Sequence, residues 1–431
     1  MATRNRVIYQ SEAVYASQDV VFSGTQTGYR DNIDLDRVQS CNYSFNISRT
    51  DVNQFGQLGA IDRIITESPS VSFDSSYLLA NFGNEYKLGF HVTQSGVVGP
   101  FKSCISDIID STTNAYQKNF YILNAKEGKD ADETSLNPTT ATSGNFESLI
   151  GIGNAGLTSY SVEAAVGGFP SVSFSAEGLN MNFQNFGDGG VGAYSKPDTA
   201  PGPGKNLKRP WYITGRNPAI NPIDGKRYET PVALPCPTGS VSDTAAGSVS
   251  VLRPGDLKLF LSKQADKSVG TAATSTSMGK PDYAGASIEN AHIQSFNIGF
   301  DLSRSSIEQL GTKFAYARVI DFPVTVSLGV DAVVSDLTTG SLAEMIDCDD
   351  LFDARIQLGA PECAGMSDAH QQRYAAANYI LKGIKLDSQS YSVGMGDNKT
   401  VSLSFTSQIG GPEQSGMGLF MSGYYLANSP A

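Results

Sequence analysis

Between residues 39 and 48 the chain alternates: Cys41, Tyr43, Phe45 and Ile47 share one parity, and Asn42, Ser44, Asn46 and Ser48 the other. A period of two marks a strand with one face on a core and the other in water. The pattern returns 255 residues later, where Phe296, Ile298, Phe300 and Leu302 alternate with Asn297, Gly299, Asp301 and Ser303. Residues 64–73 and 319–327 also read as strands. Helical spacing is confined to 103–110 and 341–352, one short helix in each half, with a further turn over 371–381.

Residues 38–72 lie over 293–327 without a gap, and 13 of the 35 positions are identical. They include Asn42/Asn297, Phe45/Phe300, Arg49/Arg304, Gly56/Gly311 and Arg63/Arg318. An ungapped frame of this length predicts a duplication. A second echo follows. Tyr160-Ser161-Val162 precedes Val172-Ser173-Phe174, and Tyr391-Ser392-Val393 precedes Val401-Ser402-Leu403, each with glycines between, so both read as β-hairpins. Residues 7–17 and 252–262 match more weakly as opening strands. Nine of the 19 prolines fall between 197 and 237, which excludes a central strand there. The expected organisation is a first β domain over 1–180, a Pro/Gly-rich linker or surface insertion over 181–248, and a second β domain over 249–431.

Composition sharpens this picture. The 40% apolar and 17% charged residues belong to a folded chain, and 44 glycines with abundant Ser, Thr, Val, Phe and Tyr favour β structure. A formal charge of −12 argues against a groove that grips nucleic acid, though not against a wall past which DNA slides. Cys41, Cys104, Cys236, Cys348 and Cys363 are an odd, scattered set, read as buried thiols in a reducing compartment. The early positive charges are followed by Ser11, Glu12 and Gln18, not by an apolar stretch, so neither a signal peptide nor a membrane span is expected.

Candidate chemistry is sparse. Gly151-Ile152-Gly153-Asn154-Ala155-Gly156 has dinucleotide-loop spacing but no surrounding βαβ unit, and is expected to be an ordinary glycine-rich loop before a hairpin strand at Leu157. Asp347, Asp349, Asp350 and Asp353 lack the glycine and glutamate of a calcium loop and read as a solvated helix end. His91, His292 and His370 have no ligand-spaced partners in sequence, and Lys205 follows Pro203-Gly204 outside any phosphate-loop frame. No catalytic residue, metal or cofactor is expected.

The string Val38-Gln39-Ser40-Cys41-Asn42-Tyr43-Ser44-Phe45-Asn46-Ile47-Ser48-Arg49, running through Asp51 to Gly56 and on to Asp62-Arg63, resembles the front of the tail tube (major tail) proteins of long-tailed bacteriophages. The closing Tyr-Ser-Val hairpin adds to the resemblance, which covers most of 1–180 and, more faintly, 249–431. The halves depart where Leu58-Gly59 becomes Lys313-Phe314. The resemblance implies a mainly β chain of two tandem sandwich or barrel domains, each with a short helix. It implies a structural virion protein, made in the host cytoplasm, that forms trimeric, pseudo-six-fold rings stacked into a tail tube. DNA would cross the lumen without specific binding. Tape measure, tail terminator and baseplate or tip proteins would be partners, with no membrane involved. In such rings Arg49, Arg63, Arg304 and Arg318, recurring at matched positions, are expected as interface salt-bridge donors; the alternative is that they stabilise their own domains. The rival readings are a capsid decoration or baseplate component and a carbohydrate-binding module.

Overall fold

The computed structural model describes residues 12–17, 34–66, 70–93, 102–109, 118–125, 131, 146–178, 180–185, 252, 257–263, 292–307, 317–333, 351–358, 377–392, 399–411, 414 and 416–423. The Pro-rich stretch from 186 to 248, the expected helix over 341–350, the acidic run 347–350, His370, Lys205, Cys236, Cys348 and Cys363 lie outside them. What is described is mainly β. In chain order come β1 (Glu12–Ser17), β2 (Val38–Asn46), β3 (Arg49–Val52), β4 (Asp62–Ile65) and β5 (Ser70–Leu78). Then follow α1 (Gly83–Leu88), β6 (Val92–Thr93), α2 (Ser106–Ile109), β7 (Lys118–Ala125), β8 (Phe146–Ala165), β9 (Ser171–Gly178) and β10 (Asn180–Asn185). The second half holds β11 (Leu257–Lys263), β12 (His292–Asp301), β13 (Arg304–Ile307), β14 (Ala317–Ile320) and β15 (Val324–Val333). It closes with β16 (Phe352–Leu358), β17 (Ala377–Ser392), β18 (Thr400–Ile409) and β19 (Gly418–Ser422).

Eight strands form one antiparallel sheet in the order β2-β5-β9-β8-β12-β15-β18-β17. It runs across both halves of the chain, which meet where β8 pairs with β12. β8 has 20 residues and β17 has 16, more than one sheet can use. Their first parts leave the central sheet: β8 there pairs with β7 and β10, and β17 with β16 and β19. β1 extends the first of these smaller sheets and β11 the second. β6 of the first half pairs in parallel with β19 of the second.

The core lies between the central sheet and these smaller sheets. Phe120 of β7 stacks on Phe73 of β5 with centroids 4.5 Å apart, and Tyr379 of β17 meets Tyr160 of β8 through their hydroxyls at 2.9 Å. Alternate residues face that core, and β5 shows the pattern plainly: Val71, Phe73 and Tyr77 are buried, while Ser72 and Asp74 are exposed.

The stretches 38–72 and 293–327 carry the same order of elements: a long strand, a two-stranded ribbon (β3–β4 or β13–β14) and the start of a second long strand. Their ladders keep the offset: Asn42 faces Asp74 and Asn297 faces Gly329, and the bulges fall between Val38 and Ser40 and between Ile293 and Ser295. The hairpins β8–β9 and β17–β18 are also bulged alike, between Leu157 and Ser159 and between Leu386 and Ser388. Val162 then faces Val172 and Tyr391 faces Val401, so the ladder aligns Tyr391 with Val162 and not with Tyr160.

Several expectations need correction. Gly151 to Gly156 is no loop: it lies inside β8, paired with β7, β9 and β10. Residues 64–73 are two strands, because β4 belongs to the ribbon and β5 to the central sheet. Residues 319–327 divide likewise around Pro323, which has no N–H for a ladder. Residues 377–381 are strand, in β17, not a helical turn, and Phe352 and Asp353 begin β16 rather than end a helix. Residues 181–185 are part of β10, paired with β8, and not linker. Of the expected helix over 103–110 only α2 is helical, and α1 was not foreseen. No helix among the described residues is long and apolar enough to cross a membrane.

Candidate functional site

Between its two end strands the core side of the central sheet is buried, so its other side is the surface on offer. Serine hydroxyls dominate that side, and they bond across strands: Ser40 to Ser76 at 2.6 Å, Ser44 to Ser72 at 2.7 Å, Ser175 to Asp74 at 2.6 Å and Ser295 to Asp331 at 2.6 Å. Glu163 and Asp301 share the face and are exposed. In the eight strand segments of this sheet the one Lys or Arg among the described residues is Lys385. The surface is therefore hydroxyl-rich, acidic and almost free of cations. A concavity crosses it, lined by Glu163, Asn297, Gly329, Asp331, Ser390 and Ser402. Gly329 keeps it low: a Cβ there would fall 2.1 Å from Asn297 Oδ1.

The sheet ends on two strands whose outer edges have no neighbour among the described residues, β2 and the part of β17 from Lys385 to Ser392. β2 departs from its expected half-buried state. Tyr43 and Phe45 are 37% and 41% exposed, whereas Ile298 and Phe300 at the matching places in β12 are 0% and 4% exposed. The difference is one of neighbours: Phe300 packs on Tyr160 and Phe90, with centroids at 5.5 and 6.0 Å.

The four recurring arginines divide the same way. Arg304 and Arg318, on the β13–β14 ribbon, reach across the junction between the halves. Arg304 Nε donates to the Leu157 carbonyl at 3.0 Å; Arg318 Nη1 donates to the Glu177 carbonyl at 3.1 Å, and its Nη2 pairs with Glu177 Oε1 at 3.2 Å. Burial pushes the Arg304 guanidinium down to about 10, with the nearby Arg318 charge adding and Glu177 opposing. Gly156 makes room for it: a Cβ there would fall 2.6 Å from Arg304 Nε. Arg49 and Arg63, on the β3–β4 ribbon, are exposed, and Arg63 pairs with Asp51 of its own ribbon.

Neither protein-family models nor curated protein sequences match this chain.

Beneath the sheet lies a polar group that sequence reading missed. Glu85, fully buried on α1, accepts from Tyr77 Oη at 2.8 Å and Tyr160 Oη at 3.0 Å, and Tyr160 also bonds Tyr379. Burial raises the Glu85 carboxyl above its ordinary range, although the hydrogen bond from Tyr77 works the other way. The one local signal was Gly89, whose φ of 103° closes α1. His91, isolated in sequence, bonds Asp107 at 3.0 Å. Among the described residues no three His, Cys, Asp or Glu side chains gather as a metal site would require. Cys41 and Cys104 are free thiols, and burial pushes Cys41 up to about 12, with Glu12 adding.

Proposed function

We propose that the chain is a structural subunit, two copies of one β domain fused, that assembles head to tail into trimeric, pseudo-six-fold rings stacked into a phage tail tube. The observation that carries this reading is the single sheet that crosses both halves, polar on one face and, among the described residues, open at both end strands. An open edge is a template for another strand, and a heterologous contact between two different edges closes rings when the rotation allows. Three copies of the eight-stranded sheet would bring together roughly 24 strands. At about 4.8 Å between strands and about 40° of tilt, the closed barrel measures roughly 48 Å across, which leaves a channel for duplex DNA.

The polar face suits such a channel. Carboxylates at Asp74, Glu163, Asp301 and Asp331 repel phosphate, and the near absence of Lys and Arg removes the charges that would hold DNA by counterion release. The matched bulges and registers at the two ends support the duplication, with 1–180 and 249–431 as the two copies. Tape measure, terminator and baseplate proteins would bound such a tube. Negative-stain micrographs of purified protein under assembly conditions are the test. Stacked rings of three chains around an open channel are expected; a chain that stays monomeric, or rings of six full chains, would overturn the reading.

A further inference from the structure

One pair of sheet edges has already met inside the chain. β12 lies against β8 with Ser295 opposite Ala165, Ile298 opposite Val162, Gly299 opposite Ser161 and Asp301 opposite Ser159. Backbone bonds prolong the ladder at both ends, from Val166 to the Gln294 carbonyl at 2.8 Å and from Leu302 to the Thr158 carbonyl at 2.7 Å. β2 stands to β5 as β12 stands to β15, in the same register and with the same bulge. β17 stands to β18 as β8 stands to β9, again with the same bulge. The two open edges are therefore copies of the two edges already joined.

We infer that β2 of one chain pairs antiparallel with residues 385–392 of β17 in a second copy, in the register of the β8–β12 junction. This rests on the ring reading above and specifies its contact. Tyr43 lies opposite Tyr391, Ser44 opposite Ser390, and Asn46 opposite Ser388. The exposed aromatics fall where such a contact buries them. Ile298 and Val162, facing each other at the joined edge, are both 0% exposed, while Tyr43 and Tyr391 at the open edges are 37% and 55% exposed. On the other face Ser44 and Ser390 continue the hydroxyl surface without a break. β2 carries no charged side chain to oppose the contact. Each chain has one edge of each kind, so the pairing is directional. The arginine ribbon is not required for it: Lys385 occupies the place at which Gly156 leaves room for Arg304.

Cysteine cross-linking of the assembled full-length chain tests the register. With Cys41→Ser as background, Ser44→Cys/Ser390→Cys in one chain should oxidise to a covalent ladder that stops at three chains, and neither single cysteine should link. Ser44→Cys/Ser388→Cys and Ser44→Cys/Ser392→Cys, each displaced by two residues, should link at least tenfold more slowly. Normal rings in micrographs with faster linking of a displaced pair, or with none, overturn the pairing and leave the ring reading standing. Wild-type protein without rings removes the ring reading, and the pairing with it. A second measurement needs no disulfide. Tyr43→Lys should keep the monomer's circular dichroism and lose assembly at least tenfold, while Tyr43→Ile, the residue at the joined edge, should assemble. Undiminished assembly of Tyr43→Lys overturns the pairing.

Discussion

Replacing Gly156 by alanine should damage the junction between the halves, through one side chain. The new methyl would lie 2.6 Å from Arg304 Nε, 2.7 Å from Cζ and 3.1 Å from Cδ. Ordinary carbon contacts begin near 3.5 Å, so the guanidinium must retreat by about an ångström. Its 3.0 Å bond to the Leu157 carbonyl does not survive that shift, and Arg304 Nη2 is buried without a partner already. Overpacking costs about 1–3 kcal/mol, and a lost hydrogen bond from a charged donor about 1.5–3 kcal/mol. Because part of the guanidinium's hydration returns as it moves out, about 2–4 kcal/mol of destabilisation is expected. In an Arg304→Ala background the three atoms nearest the new methyl are gone, and the same Gly156→Ala change should be neutral or gain about 0.5–1 kcal/mol from the stiffer backbone. Urea unfolding of the four chains by circular dichroism gives the coupling, expected at 2 kcal/mol or more. If the two substitutions add to within about 0.5 kcal/mol, Arg304 does not lie over Gly156 and the account of the junction fails.

Two further outcomes follow from burial. Glu85 binds its proton more tightly in the folded chain than in the unfolded one, because burial raises its folded value above the ordinary 4.5. Its contribution is thus fully present below pH 4.5 and is lost as pH rises through the raised folded value. Glu85→Gln keeps an acceptor for Tyr77 and Tyr160 and removes the titration, so a plot of melting temperature against pH should flatten between pH 4.5 and that raised value; an unchanged slope there would refute this. Phe300→Ala should cost about 3–5 kcal/mol in the monomer, whereas Phe45→Ala at the matching, exposed place should cost under about 1 kcal/mol there and weaken assembly instead. Thermal melts of the two monomers compare them, and equal losses would show that β2 is already covered.

Alternation along the chain was enough to name β2 and β12 as strands, because a side-chain period of two is a local property. The polar run of β2 was legible in this way, and of the helix expected from spacing over 103–110 only 106–109 is helical. Partner choice was not legible. A two-residue slip preserves alternation, so pattern alone paired Tyr391 with Tyr160 where the ladder aligns it with Val162. Glycine spacing suggested a loop at 151–156, and only the neighbouring strands reveal a ladder whose last glycine admits an arginine from 148 residues away. Arg49 and Arg304 sit in closely similar sequence, yet one is exposed and the other is clamped between halves, since burial depends on which edge lies alongside. Long-range pairing is decided by the whole set of competing edges, and local residues carry only the face each strand can offer.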